Sequence, residues 1–245
     1  MKRFADLHLR PDLNSSNHTQ TLMAKAKALG YTLVGVSIPR RVQKDALRLL
    51  QETCRACKLD FAIRIDLSPR TPSELLRSLT RFRREFEIVA VNCLSKAVAR
   101  QAAKDRRVDL LAFPSIDPRA RFFDRAETRV SSQGIAALEV DVSLLLRTSG
   151  ISRVRLLASL RREVNVAEKA SFPVVISSHA STPLQMRGPH DLVSLSALYG
   201  MDHASAVNAV SSAPCGIVDR SRRKLEAYYV SQGVRVVRRG KDCDS

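Results

Sequence analysis

Six residues of the kinds that perform hydrolysis stand at or just beyond the ends of apolar runs: His8, Asp66, Asn92, Glu139, Asp141 and His179. Imidazoles and carboxylates that converge can hold a divalent cation, which activates water for attack on a phosphodiester. The rest of the ligand inventory argues against such a site. His18, His190 and His203 are scattered, and none has a second ligand at metal spacing. Cys54 and Cys57 make one CxxC with no second pair, whereas a four-cysteine zinc site takes two. With Cys93, Cys215 and Cys243 they form an odd, dispersed set, the usage expected of reduced thiols in a cytoplasmic protein. No Ser/His/Asp or Cys/His pattern points to a nucleophile. The expectation is a chain with no catalytic residue, metal or cofactor of its own.

What positions these residues is an alternation of apolar runs and helical segments. Strands are expected over Phe4–Leu9, Leu33–Ser37, Leu59–Ile65, Ile88–Asn92, Asp109–Phe113, Ile135–Val140 and Val174–Ser177. Most are apolar on both faces, as when helices cover a parallel sheet, and the alternation implies right-handed βαβ crossovers. It predicts an α/β fold, a TIM-barrel-like (β/α) barrel with seven parallel strands, whose chemistry would sit at the strands' C-terminal ends. No Gly-rich loop follows the first strand, which argues against a dinucleotide fold. After Ser177 the rhythm lapses into an extra helical C-terminal segment that closes on a short Val234–Val237 run. With no repeat or low-complexity linker, residues 1–240 read as a single barrel domain and 241–245 as a polar tail. No stretch is long and apolar enough to span a bilayer, and Asp6 falls where a signal peptide needs its apolar core.

Helix signals are local and specific. Thr71-Pro72-Ser73-Glu74 offers an N-cap, a proline at the first helical position and a capping-box acid, after which Leu75, Leu79, Phe82 and Phe86 recur on one face. Asp117-Pro118 is expected to open another helix with Phe122, Ala126 and Val130 inward. Ser95 and Ser152 are candidate caps, and Gly30 a candidate helix end.

Charge is the strongest global signal. The chain carries a formal net charge of +17, and 31 of its 41 basic residues are arginine. Self-repulsion of this size opposes compaction, and a planar guanidinium favours bidentate contact with phosphate. Nucleic acid is therefore the expected partner. Aromatics are only 5% with no tryptophan, so backbone contact is expected rather than base stacking. Basic residues line up at helical spacing in four rows: Arg77/Arg81/Arg84, Lys96/Arg100/Lys104/Arg107, Arg121/Arg125/Arg129 and Arg41/Lys44/Arg48. Uncompensated like charges at that spacing cost a few tenths of a kcal/mol per pair.

Two resemblances sharpen this reading. Asp6-Leu7-His8-Leu9-Arg10 resembles the opening metal motif of the polymerase and histidinol phosphatase barrels, in which two histidines alternate along the strand. Arg10 stands at the second histidine position, and a guanidinium repels a cation rather than ligating it. The more extensive likeness lies in the C-terminal third. There Ser177-Ser178-His179-Ala180, Met186-Arg187-Gly188-Pro189-His190-Asp191-Leu192, Leu198-Tyr199-Gly200-Met201 and Ser211-Ser212-Ala213-Pro214 precede Arg220-Ser221-Arg222-Arg223-Lys224. With Asp6-Leu7-His8-Leu9 and Arg107-Val108-Asp109-Leu110-Leu111, this order resembles the ribonuclease P protein subunit 30 family, called component 3 in archaea. His179, where glycine is common, and Gly188, where serine is common, depart from it.

The resemblance implies a seven-stranded barrel that is not itself the nuclease. It would serve the ribonucleoprotein that removes the 5′ leader from precursor tRNA, with catalysis by the RNA subunit and its Mg²⁺. Implied partners are ribonuclease P RNA, precursor tRNA through the holoenzyme, other ribonuclease P proteins, and a small Pop5-type protein in a heterotetramer. Arg10, Arg40, Arg41, Arg64, Arg84, Arg107 and Arg187 are the candidate RNA contacts, with an internal Arg187–Asp191 pair the structural alternative for the last. The competing reading is a metal-dependent phosphoesterase using His8, Glu139 and His179.

Overall fold

Seven parallel strands follow one another around a narrow apolar interior, each hydrogen-bonded to its neighbour in chain order. The computed structural model describes residues 3–130, 134–226, 228–231 and 234–235. The strands are β1 (Ala5–Leu9), β2 (Leu33–Ser37), β3 (Asp60–Leu67), β4 (Ile88–Asn92), β5 (Leu110–Ala112), β6 (Ala137–Asp141) and β7 (Val174–Ser177). Helices on the connections form the outer layer: α1 (Ser16–Ala28), α2 (Lys44–Ala56), α3 (Pro72–Phe82), α4 (Lys96–Lys104), α5 (Arg125–Val130), α6 (Val142–Arg147) and α7 (Gly150–Lys169). The extra C-terminal segment is α8 (Pro189–Ser196), α9 (His203–Ala209) and α10 (Ser212–Leu225), then a small antiparallel pair, β8 (Tyr229–Ser231) and β9 (Val234–Arg235).

Inside the barrel are Ala5, Leu7, Leu33, Ala62, Ile88, Ala90, Leu110, Ala137 and Val175. The alanines suit the crowded space that strands enclose when they close on themselves. Helix α10 seals the end at which the strands begin, adding Cys215, Ile217 and Val218 to this inner cluster. It is pinned there by Arg222, which bonds Asp60 at the start of β3 and Glu87 just before β4. The strands' C-terminal ends therefore form the open mouth.

The seam between β1 and β7 is held by a single bridge, Leu9 to Ala180, and by the buried carboxylate of Asp6, which accepts from the backbone N–H groups of His8 and Ser178. Burial pushes the Asp6 carboxyl up. The β1–β2 register shifts between Asp6 and Leu9, which brings both Leu7 and His8 to the barrel interior. Gly35 permits that bulge: a Cβ there would lie 2.5 Å from the Leu7 carbonyl oxygen.

Several local expectations hold. Thr71 caps α3 through the Glu74 N–H, Ser95 caps α4, and Gly30 takes φ +94 just past α1. Two do not. Asp117 caps only a three-residue 3₁₀ turn, Pro118–Ala120, and the helix begins later at Arg125. Helix α7 starts at Gly150 behind Ser149, so Ser152 lies in its first turn rather than capping it. The Arg129 and Val130 side chains, residues 236–237 of the expected final run, Cys243 and the tail 241–245 lie outside the described residues.

Candidate functional site: a barrel mouth closed by guanidinium groups

At the floor of the mouth sits Arg64, on β3 and wholly buried. Its Nη1 and Nη2 donate to Glu139 Oε1 and Oε2 at 2.5 and 2.6 Å. Nε and Nη2 also donate to Asp66 Oδ1 at 3.0 and 2.8 Å, and Nη1 to the Leu7 carbonyl at 2.9 Å. Burial by itself would raise the carboxyl of Glu139, but the guanidinium outweighs it and holds Glu139 well below the ordinary range; Asp66 is lowered by the same balance. Asp66 Oδ2 accepts from Ser37 Oγ at 2.5 Å.

Over this layer lie two stacked imidazoles, His8 and His179, with ring centroids 3.9 Å apart. His8 is held between carboxylates, Nδ1 3.5 Å from Glu139 Oε1 and Nε2 3.6 Å from Asp66 Oδ2. His179 takes φ +51, a left-handed conformation that a side chain resists, at the position where the subunit 30 resemblance commonly has glycine. Arg10 Nη1 lies 3.1 Å from His179 Nε2, and His179 Nδ1 2.8 Å from Asp141 Oδ2. A guanidinium only donates, so Nε2 accepts and Nδ1 carries the proton given to Asp141. Both ring nitrogens are thereby committed.

The strand-end residues singled out above do converge, with Asn92 at the rim bonded to Ser68. Their chemistry is nevertheless that of an internal salt-bridge network. The position between Glu139 and Asp66 that a cation would take holds the positive charge of Arg64, and the histidine nearest Asp141 has no lone pair to offer. Among the described residues no group of three or more His, Cys, Asp or Glu is arranged to hold a metal ion. Cys54 is buried and Cys57 half-buried, both as free thiols.

Above the floor the mouth widens into a cavity of about 1070 Å³ whose rim includes Arg10, Arg40 and Arg41. All three are exposed, and Arg40 also lies over the Phe82 ring at 5.6 Å. Arg84 is exposed beyond α3. Arg64 must be withdrawn from the candidate RNA contacts, because it is 0% exposed and spent on two carboxylates. Arg107 is half-buried and clamped by Asp105, at 3.0 and 2.8 Å. Arg187 donates to the Leu184 and Met186 carbonyls, while Asp191 accepts from the Gly188 N–H at 2.9 Å, so the Arg187–Asp191 pair does not form. Nor is the third basic row a row. Arg121 is buried, bidentate to Glu163 at 2.7 and 2.6 Å and bonded to the Phe113 carbonyl.

The central role of Arg64 was missed from sequence, although a signal existed. An arginine flanked by Ile63 and Ile65 in a strand faces the same way as the acid two residues on, here Asp66.

Taken together, fold and site define a TIM-barrel-like α/β protein whose barrel floor is filled by its own arginine–carboxylate network, in a strongly basic chain. The family model described as RNase P subunit p30 matches residues 3–226. The chain belongs to that family, and it is a protein subunit of ribonuclease P. It is 25% identical over 235 residues to ribonuclease P protein component 3 of Methanococcoides burtonii, covering 96% of this chain and 94% of the relative. It is also 25% identical over 240 residues to component 3 of Methanothermobacter thermautotrophicus, covering 97% and 96%. Its fold is similar to a chain in the cryo-EM structure of archaeal ribonuclease P with mature tRNA. There the TM-score is 0.82 at 21% identity, covering 96% of this chain and 99% of that one.

Proposed function

We propose that this subunit supports a catalytic RNA in removing the 5′ leader from precursor tRNA, and does so by neutralising RNA phosphates rather than by cleaving them. The observation that carries this is the mouth: where the alternative phosphoesterase would need a cation and a free imidazole, Arg64 and Arg10 supply fixed positive charge instead. Mg²⁺ would belong to the RNA. Arg10, Arg40, Arg41 and Arg84, all exposed, are the residues best placed to reach phosphate; Arg107 and Arg187, tied to neighbouring oxygens, are secondary contacts. A small Pop5-type protein is the proposed partner, in a heterotetramer, with the assembly working in the cytoplasm. No helix among the described residues is long and apolar enough to cross a membrane.

The test is reconstitution. Adding this chain and its small partner to the cognate ribonuclease P RNA is expected to raise precursor tRNA cleavage at limiting Mg²⁺. Cleavage that is unchanged by the chain would overturn the reading. Metal-dependent phosphodiesterase turnover by the protein alone, abolished by His8→Ala, would establish the alternative.

A further inference from the structure

We propose that the closed end of the barrel, where Arg83 and Arg220 share the carboxylate of Asp109 and Lys224 lies beside them, is a docking site for RNA backbone phosphate. The inference rests on the reading of this chain as an RNA-supporting subunit, and it places a contact at the opposite end of the barrel from the mouth.

Asp109 is wholly buried at the start of β5 and its bonding capacity is used up. Oδ2 accepts from the Val89 N–H and from Arg83 Nη1, both at 3.0 Å; Oδ1 accepts from Ser221 Oγ at 3.3 Å and faces Arg220 Nη2 at 3.5 Å. One carboxylate thus answers two guanidinium groups directly. The nearby Asp105 adds nothing to the balance, because it is clamped to Arg107. Lys224 projects from the last turn of α10 beside these two guanidinium groups. Its Nζ donates to the Arg106 carbonyl at 3.3 Å, a neutral partner, and no ion pair to Lys224 is formed among the described residues. Arg220 Nη2 also donates to the Ile135 carbonyl at 3.2 Å, and its buried Nε has no hydrogen-bond partner among the described residues.

The electrostatic consequence follows. Burial and the charges of Arg83, Arg220 and Arg106 outweigh the pull of Asp109 and lower Lys224 to about 8. Among the described residues, these are the charged groups that act on it. An anion on this face would relieve the repulsion and fix the proton on Lys224. A phosphodiester is the anion that suits it: singly charged, with two oxygens to share between a guanidinium and an ammonium. Arg84 follows Arg83 and Arg223 precedes Lys224 in the chain, and both are exposed, which gives a strand further cations to meet beyond a single phosphate.

Lys224 holds no structural carboxylate, which makes it the residue to change. RNA binding by the full chain would be measured with the cognate ribonuclease P RNA, across a salt series at pH 7.0 and 8.5. Wild type is expected to bind about fourfold more weakly at the higher pH, from one proton leaving a group that titrates near 8. Lys224→Arg is expected to keep the affinity at pH 7.0 and to lose the pH dependence. Lys224→Gln is expected to bind more weakly at pH 7.0, with a log–log salt slope shallower by about 0.7–0.9. Thermal melts of both variants control for folding. Equal affinity, slope and pH response in all three proteins overturns the site while leaving the subunit reading intact, provided that wild type still stimulates precursor tRNA cleavage. A wild-type chain that neither binds the RNA nor stimulates cleavage overturns both.

Discussion

Replacing Arg64 by glutamine removes the cation from the barrel floor and leaves the buried Glu139 facing Asp66, whose side chain is 20% exposed to the mouth. Arg64 makes four hydrogen bonds to those two carboxylates and a fifth to the Leu7 carbonyl. Breaking a buried pair by removing one partner costs about 3–5 kcal/mol, mostly because the other charge is left bare. Against a total stability of roughly 5–15 kcal/mol, that is a large fraction, and for a chain of this length it corresponds to a fall in Tm of roughly 6–20 °C. The loss has a pH signature. In the wild type the carboxyls of Glu139 and Asp66 are depressed, so their contribution is complete above the unfolded value near 4 and is lost only as pH falls through the folded values. In Arg64→Gln the main opposition to burial is gone, with only His8 left to counter it, and both carboxyls rise, so acidification neutralises the stranded charge. The destabilisation relative to wild type is therefore expected to be largest at pH 7.5 and to shrink at pH 5. Urea unfolding followed by circular dichroism at the two pH values measures it. A loss below about 1 kcal/mol, or one equal at both pH values, would refute the account of Arg64 as the cation of the site. Arg64→Met combined with Glu139→Met is expected to recover much of the stability, since a buried ion pair exchanged for apolar side chains is often neutral.

Four other outcomes are expected. Arg121→Met strands Glu163, which is 0% exposed, and should cost about 3–5 kcal/mol in chemical denaturation, with Glu163→Met as the compensating second change. Gly35→Ala sets a methyl group 2.5 Å from the Leu7 carbonyl oxygen, so its cost should reach or exceed the ~1–3 kcal/mol of ordinary overpacking; a wild-type Tm would contradict the β1 bulge. Changing Arg40, Arg41 and Arg84 to glutamine should leave stability within about 0.5 kcal/mol each while flattening the salt dependence of RNA binding by about 0.7–0.9 for each phosphate no longer neutralised. Wild-type stability should fall on acidification below pH 4, because Asp66, Asp105 and Glu139 are all held below their ordinary values; a flat acid limb in unfolding experiments would show those pairings to be absent in solution.

Much of the architecture was legible because most of the seven strands are near-continuous apolar runs, with expected bounds within two residues of those found. The same holds for caps that act over three or four residues, such as Thr71 and Ser95. The region after β5 was read wrongly because its order does not come from helical periodicity. Arg121 folds back to Glu163, forty-two residues on, and that ion pair, not an apolar helix face, fixes the loop. Spacing along the chain also misplaced Arg64. Exposed and buried arginines look alike until their acids are located, and Glu139 is seventy-five residues away.

The amino-acid order alone settled the succession of strands and helices, the excess of guanidinium charge and the arrival of His8, Asp66, Glu139 and His179 at one end of the barrel. These depend on local periodicity and on composition, which survive in one dimension. Which arginines face solvent and which neutralise the interior was decided only by closure of the barrel. Closure brings β1, β3, β6 and β7 within a few ångströms and lets Arg64 meet Asp66 and Glu139 in the interior.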